Sequence, residues 1–167
     1  NAVSRSSRAE LQQLANGYFD TLQLNDGTIR TKFHPDCNRV ENGVQTTNNP
    51  NYALIPATAF GCEEQFRLGI YRYDDELRAR RYPLIDVERG VVVATGFFDH
   101  ANEFDRYKLT DGREMRTALK WPNSISLVEA FKVDDGRIHR IEAVFNYVPY
   151  FMHSPFFDTH PVAPSPL

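Results

Sequence analysis

The sequence is poor in the residues that build metal clusters and disulfide frameworks. Its 167 residues include only two cysteines, two methionines and one tryptophan. Two cysteines are too few for a cysteine-rich metal site or a disulfide scaffold. We expect Cys37 and Cys62 to be buried free thiols. A single bridge between them is the alternative, because sequence spacing alone does not decide it.

Several motifs that mark cofactor or hydrolase chemistry are also missing. The sequence has no H-E-x-x-H metal motif, no glycine-rich phosphate loop after a strand and no G-x-S-x-G nucleophile elbow. We therefore predict no metal site, no nucleotide or nicotinamide cofactor and no serine hydrolase activity. Any catalysis is expected to rely on the side chains alone.

Charge and hydrophobicity argue against two classes of macromolecular partner. A net charge of −3 gives no broad attraction to nucleic acid. No apolar run approaches the roughly 20 residues that span a bilayer. A small molecule is therefore the expected ligand, and neither nucleic acid nor a membrane is an expected partner.

The chain begins at Asn1, which indicates processing. We favour a cytoplasmic location, with a processed secreted or periplasmic form as the alternative.

Aromatic residues are abundant. The chain has 12 Phe and 8 Tyr, and 13% of all residues are aromatic. Aromatic rings supply large apolar area, and tyrosine adds a polar tip. This composition suits a pocket for a ring-bearing ligand, and it suits an aromatic core equally well.

Helical patterns are confined to the first part of the chain. Ser7 and Glu10 have the spacing of a capping box, and apolar residues with helical periodicity follow. Shorter helical patterns occur at residues 29–33 and 61–73. We therefore predict three helices in the N-terminal part of the chain.

Strand patterns fill the rest of the sequence. Residues 37–47 alternate as one strand, and two hairpins are expected over residues 80–100 and 125–147. A long loop is expected at residues 101–122. This order indicates an α+β fold in which an antiparallel sheet packs on the three N-terminal helices.

The chain length fits one domain over residues 1–167. Its core is expected at about residues 7–153. The proline-rich tail at residues 154–167 is expected to be extended.

The closing hairpin places charged residues on an apolar sheet face. A two-residue turn at 135–136 pairs Val133 with Ile138, and counting outward places Glu129 opposite Glu142. The other residues predicted on this face are Ile125, Leu127, Phe131, Arg140, Val144 and Asn146.

Two carboxylates directly opposite each other repel when both are ionised. Either one keeps its proton or a cation, here Arg140, lies beside them. A carboxylic acid with a raised pKa suits general acid/base catalysis near neutral pH. Glu129 and Glu142 are therefore catalytic candidates, and Arg140, Asn146 and Phe131 are candidate substrate contacts. A structural Glu–Arg network, or a different register with the charges in solvent, is the alternative.

Three further residues are candidates for the same site. His100 ends a strand and can shuttle protons near neutral pH, although a surface histidine is the simpler interpretation. Tyr18 lies on the apolar helix face as a phenol donor or as a core residue. Asn42, between Val40 and Val44, is expected to face the interior, where its amide orients a ligand oxygen or holds a bulge.

The order of elements and four segments resemble the SnoaL-like branch of the NTF2-like superfamily. The segments are RVENGVQTTN at 39–48, GCEEQF at 61–66, FFDH at 97–100 and DGRIHRIEAVF at 135–145. The resemblance spans about residues 7–153. It implies a cone-shaped curved sheet around helices, a pocket at the open end, cofactor-independent chemistry and frequent dimers or trimers. No catalytic residue is carried over from any one relative.

The residues and the resemblance together predict a cofactor-independent lyase or isomerase. It would transfer protons on a hydrophobic, aromatic small molecule. The resemblance suggests one concrete version, the release of formaldehyde from lignin-derived diaryl propanediols. A non-catalytic small-molecule binding protein is the alternative. We also expect a homodimer or homotrimer, formed through an outer sheet face that carries Val128, Ala130, Ile141, Ala143 and Phe145.

Overall fold

A computed structural model describes residues 5–52, 56–117 and 119–156. These ranges contain two α-helices, one 3-10 turn and eight strands. In chain order they are α1 (Arg8–Leu22), β1 (Phe33–Glu41), β2 (Val44–Gln45), the 3-10 turn (Pro56–Ala59), α2 (Cys62–Arg67), β3 (Glu76–Asp86), β4 (Val91–His100), β5 (Arg106–Lys108), β6 (Glu114–Arg116), β7 (Asn123–Asp134) and β8 (Arg137–Val148). No helix in the described ranges has both the length and the apolar character needed to cross a membrane.

Helix α1 begins where the capping box predicts. The Ser7 side chain accepts a hydrogen bond from the backbone N–H of Glu10, and the Glu10 carboxylate accepts one from the backbone N–H of Ser7. Its buried face includes Leu11, Tyr18 and Leu22 and packs against β3 and β4. The predicted face of Tyr18 is therefore confirmed.

The prediction of three N-terminal helices is wrong. Residues 29–31 are not helical, because side-chain hydrogen bonds hold them along α1: Thr21 Oγ1 accepts from the Arg30 N–H, and Thr31 Oγ1 donates to the Leu14 carbonyl. Helix α2 stops at Arg67. Gly69 then adopts a left-handed conformation (φ +73°), which ends the helix early.

Six strands form one mixed sheet in the order β2-β1-β8-β7-β4-β3. Strand β1 runs parallel to β8, whereas the other neighbouring pairs are antiparallel. The α+β class is confirmed, and the expectation of an antiparallel sheet is corrected at the β1–β8 pair. The region predicted as a long loop, 101–122, contains a separate two-stranded ribbon of β5 and β6.

The strand predicted at residues 37–47 is interrupted by a tight turn. Asn42 and Gly43 both have positive φ (48° and 82°), which is the signature of a two-residue hairpin turn. Asn42 is exposed, and its side-chain amide exchanges two hydrogen bonds with the Phe145 backbone. The prediction that Asn42 faces the interior is wrong, because its side chain ties the β1–β2 turn to β8.

A β-bulge changes the register of the closing hairpin. Val133 pairs with Ile138 as predicted, but Lys132 then pairs with Arg140, so His139 is an additional residue in β8. The Asp134 carboxylate contacts His139 Nδ1 at 2.8 Å beside the bulge. Every later residue of β8 is displaced by one position relative to the prediction.

The displaced register reverses the faces of β8, because side chains alternate with period two. Glu129 pairs with Ala143 instead of Glu142. Arg140, Glu142 and Asn146 are exposed, as is Val144 at 67%. Their predicted position inside the site is therefore wrong.

The outer face predicted for subunit contact changes for the same reason. Val128 is 50% exposed and lies outside, but Ile141 and Ala143 are buried. Phe145 is partly buried against the core. Of the predicted tail, only residues 154–156 are described, and residues 157–167 lie outside the described residues.

Cys37 and Cys62 form a disulfide, so the expectation of free thiols is wrong. Their Cα atoms are 5.7 Å apart, within the range that a disulfide requires. Both residues are buried, and the bridge joins β1 to the first residue of α2.

Replacing both cysteines by serine is expected to lower the free energy of unfolding by roughly 3 kcal/mol. The bridge closes a loop with a sequence separation of 25, which restricts the unfolded chain. Urea unfolding of the Cys37→Ser/Cys62→Ser variant and the oxidised wild type measures the difference. Equal unfolding free energies would contradict the prediction.

Candidate functional site

A cavity of about 240 Å³ lies between α1 and the concave face of the sheet. Its polar lining consists of Tyr18, Arg39, Glu41, Tyr71, Tyr73, Asp74, His100, Glu129 and Tyr147. Its apolar lining consists of Leu22, Phe98, Leu119, Ile125, Leu127, Ala143 and Phe145. The cavity therefore combines an aromatic and aliphatic wall with a concentrated set of ionisable groups.

Glu129 is the central carboxyl group of the cavity. It lies on β7 and is 2% exposed, and its Oε2 atom has no hydrogen-bond partner among the described residues. Burial, reinforced by the negative charge of Glu41, raises the pKa of Glu129 to about 8, against the opposing effects of Arg39 and a hydrogen bond from Tyr18. At neutral pH this group is mainly a neutral carboxylic acid.

Tyr18 connects Glu129 to the rest of the cavity. Its hydroxyl accepts a hydrogen bond from Arg39 Nη1 at 3.4 Å. Burial, with the charge of Glu129, raises the pKa of Tyr18 well above its usual value, so the phenol keeps its proton. Its ring packs edge-on against Phe131, which is fully buried behind Tyr18.

Arg39 is 1% exposed and lies at the polar end of the cavity. Its Nε atom is 2.9 Å from Glu41 Oε1, and its Nη2 atom donates to Gln65 Oε1 at 2.6 Å and to the Tyr71 hydroxyl. The guanidinium also lies over the Phe66 ring. Buried charges require pairing and hydrogen bonds, and Arg39 has both.

The disulfide supports this polar end. Cys37 precedes Arg39 by two residues on β1, and Cys62 precedes Gln65 by about one turn of α2. The bridge therefore links covalently the two elements that supply Arg39 and its Gln65 acceptor.

His100 and Asp74 form a second ionisable pair. His100 Nε2 lies 2.5 Å from Asp74 Oδ1, and both side chains are buried. Burial disfavours charged His100, but the hydrogen bond and charge of Asp74 outweigh it and raise the pKa of His100. Burial raises the pKa of Asp74, opposed by its bond to His100. The two groups thus titrate as one pair that shares a proton.

The structure brings together half of the residues singled out from the sequence. Glu129, His100 and Tyr18 line the cavity, and Phe131 packs behind Tyr18. The others, Asn42, Arg140, Glu142 and Asn146, lie on the exterior. Asp99, the neighbour of His100, faces away from the cavity and pairs with Arg78 instead.

Arg39, Glu41 and Asp74 were missed by sequence reasoning. The buried residues of β1 are Phe33, Cys37 and Arg39, which all occupy odd-numbered positions. Assigning the odd-numbered positions to the inner face would have identified Arg39 and Glu41 as candidate site residues. No signal in the sequence marks Asp74, because it lies between elements and meets His100 only in three dimensions. Among residues 5–52, 56–117 and 119–156, no group of three or more His, Cys, Asp or Glu side chains is arranged to hold a metal ion.

Comparisons with known proteins identify a family for this chain. A family model described as "Domain of unknown function (DUF8021)" matches residues 4–145. No curated protein matches the sequence.

Solved structures with similar folds include a candidate isomerase from Bacillus subtilis, with 11% identity, 84% of this chain and 90% of that chain covered, and a TM-score of 0.52. AusH from Aspergillus nidulans is 13% identical with a TM-score of 0.50, and the match covers 84% of this chain and 86% of AusH. A Methylobium petroleophilum protein of unknown function with a cystatin-like fold is 13% identical with a TM-score of 0.49. The match covers 93% of this chain and 85% of that protein. At these identities the first two structures show a likeness of fold alone.

Proposed function

We propose that this chain, which belongs to the DUF8021 family, is a lyase or isomerase acting by proton transfer. The function of that family is unknown, so the activity is inferred from the cavity of this chain. The observation that carries this proposal is Glu129. A buried carboxyl group lines an aromatic cavity and has one oxygen without a partner among the described residues. Such a group is suited to donate a proton to a substrate oxygen.

Asp74 is the proposed base. It lines the cavity with its Oδ1 atom held by His100 Nε2. Burial raises the pKa of Asp74, which makes its carboxylate a stronger base than an exposed aspartate. His100 acts as a positioning residue for Asp74 in this scheme and shares its proton.

An elimination illustrates the proposed chemistry. Asp74 removes a proton from the substrate carbon, the electron pair forms a carbon–carbon double bond, and the carbon–oxygen bond breaks. Glu129 protonates the departing oxygen, which leaves as water. Asp74 then returns its proton to solvent, and Glu129 recovers one. In an isomerisation, the same two groups deliver and remove the proton at different atoms of one substrate.

The size of the cavity favours a small substrate. A volume of about 240 Å³ lies below the roughly 300–1,000 Å³ that is typical of small-molecule sites. A compound with one aromatic ring and a short oxygenated side chain matches this space better than a diaryl propanediol does. We therefore propose a single-ring substrate, and formaldehyde release from diaryl compounds is the less favoured version.

The proposal predicts a fall in turnover as pH rises through about 8. Glu129 must carry a proton to act as an acid, so its active form is lost above its pKa. The assay uses aryl β-hydroxy ketones and aryl propanediols, and it follows the conjugated product by absorbance and released formaldehyde by colorimetry. No turnover of either class, or turnover that rises steadily from pH 7 to pH 10, would contradict the prediction.

A non-catalytic binding protein is the second candidate. One observation favours it: the Arg39 donors are engaged by Glu41, Gln65 and Tyr71, as in a structural network. Tight binding of single-ring compounds without any turnover would favour this alternative.

The location and assembly are also proposals. A buried disulfide is typical of proteins from oxidising compartments, so we favour the secreted or periplasmic alternative over the cytoplasm. A homodimer or homotrimer would use the corrected outer face, where Val128 and Val144 are exposed.

A further inference from the structure

The ionisable groups that line the cavity balance one another. Arg39 is paired with Glu41 at 2.9 Å, and Asp74 is paired with His100 at 2.5 Å. The third carboxyl group of the lining, that of Glu129, is mainly protonated at neutral pH. The described lining of the cavity thus contains a guanidinium, yet these residues offer no uncompensated positive charge to a ligand.

We propose that the cavity selects uncharged, oxygen-bearing ligands against carboxylates, and that Glu41 is the residue that sets this selectivity. The inference rests on the proposed function only in taking the cavity as the ligand site. It concerns which molecules bind, and it does not depend on whether they react.

A carboxylate would enter the cavity without a free counter-charge. The guanidinium is already engaged through Nε by Glu41 and through Nη2 by Gln65 and Tyr71. The ionised carboxylate of Glu41 is an acceptor in the cavity lining and would repel the bound anion. Burying an unpaired anion is strongly unfavourable, whereas a neutral carbonyl or hydroxyl can accept the Glu129 proton.

Glu41 differs in kind from the other residues that hold Arg39. Gln65 and Tyr71 are neutral and contribute hydrogen bonds only, so Glu41 alone among these partners cancels the charge. Its side chain is 29% exposed, compared with 2% for that of Arg39. Removing the Glu41 charge would leave a guanidinium on the cavity wall that is able to attract a carboxylate.

The chain contains a matched control for this change. Arg140 and Glu142 form another Arg–Glu pair two residues apart on a strand, with Arg140 Nε 2.6 Å from Glu142 Oε1. Both side chains are more than half exposed, and both lie outside the cavity. Glu142→Gln therefore removes the same chemical group from the same kind of pair without altering the cavity.

The experiment compares 3-phenylpropanamide with 3-phenylpropanoate, two ligands of similar shape that differ in charge. Calorimetric titration at pH 7 is expected to give wild-type protein at least about tenfold tighter binding of the amide. Glu41→Gln is expected to reduce that preference by about tenfold or more, while Glu142→Gln keeps the wild-type ratio. Wild-type protein that binds the carboxylate as tightly as the amide, or binds neither at millimolar concentration, overturns the proposal.

A second variant guards against misfolding of Glu41→Gln, which leaves a buried guanidinium without its counter-ion. Arg39→Met/Glu41→Gln removes both charges and is expected to restore the preference for the amide. Carboxylate binding by this double variant as tight as amide binding would show that the pair does not set the selectivity. Because every measurement is of binding, the selectivity can hold in a protein that catalyses nothing, and turnover can occur without it.

Discussion

Glu129→Gln is expected to lower turnover by about 10²–10⁴-fold, the usual contribution of a general acid. Glutamine occupies nearly the same volume and can accept the hydrogen bond from Tyr18, but it cannot release a proton to a departing oxygen. The loss should appear mainly in kcat, because the amide still fills the same space in the cavity.

Glu142→Gln is the control for this experiment. Glu142 lies on β8 with its side chain 54% exposed on the outer face, so turnover should stay within about twofold of the wild type. Steady-state kinetics of the two variants on one substrate makes the comparison. Equal effects of the two substitutions, or full activity in Glu129→Gln, would remove Glu129 from the proposed mechanism.

A second large effect concerns stability and needs no substrate. The pKa of Glu129 is about 8 in the folded protein and near 4.5 when the group is solvated, so the folded state retains the proton more strongly. Stability from this group is therefore fully present below pH 4.5 and is lost as pH rises through about 8. The corresponding loss in the free energy of unfolding is roughly 3–5 kcal/mol.

Glu129→Gln should lack this pH dependence. Urea unfolding at pH 5 and pH 9 gives the change in unfolding free energy for each protein, and the difference between proteins isolates Glu129. We expect the wild type to lose roughly 3–5 kcal/mol more than the variant over this interval. Glu142→Gln should follow the wild type. Parallel behaviour of wild type and Glu129→Gln would mean that Glu129 is not a buried acid.

The sequence predicted the elements that depend on local signals. The capping box located the start of α1, and the Asp135-Gly136 turn located the closing hairpin. Alternation along β7 correctly placed Glu129 and Phe131 inside, because β7 pairs with β4 without a shift.

The errors arise where one additional residue or a distant contact decides the structure. The bulge at His139 moved Glu142 to the outer face, and its position depends on pairing that periodicity does not encode. The positions of Val40 and Val44 were used to assign the inner face of β1. The pairing of β1 with β8 buries Cys37 and Arg39 instead. The disulfide partner of Cys37 lies on another element, so spacing gave no indication of the bridge.

The bulge also makes position 139 independent of the pairing between β7 and β8. His139 can be exchanged for other residues at modest cost, since its ring is partly exposed and contacts a surface aspartate. Deleting it would remove the bulge and leave the rest of the pairing in place: Arg140 would follow Ile138, and Lys132 would still pair with Arg140 and Glu129 with Ala143. The interior therefore constrains which residues of β7 and β8 lie opposite each other, whereas it constrains neither the identity nor the presence of a residue at position 139.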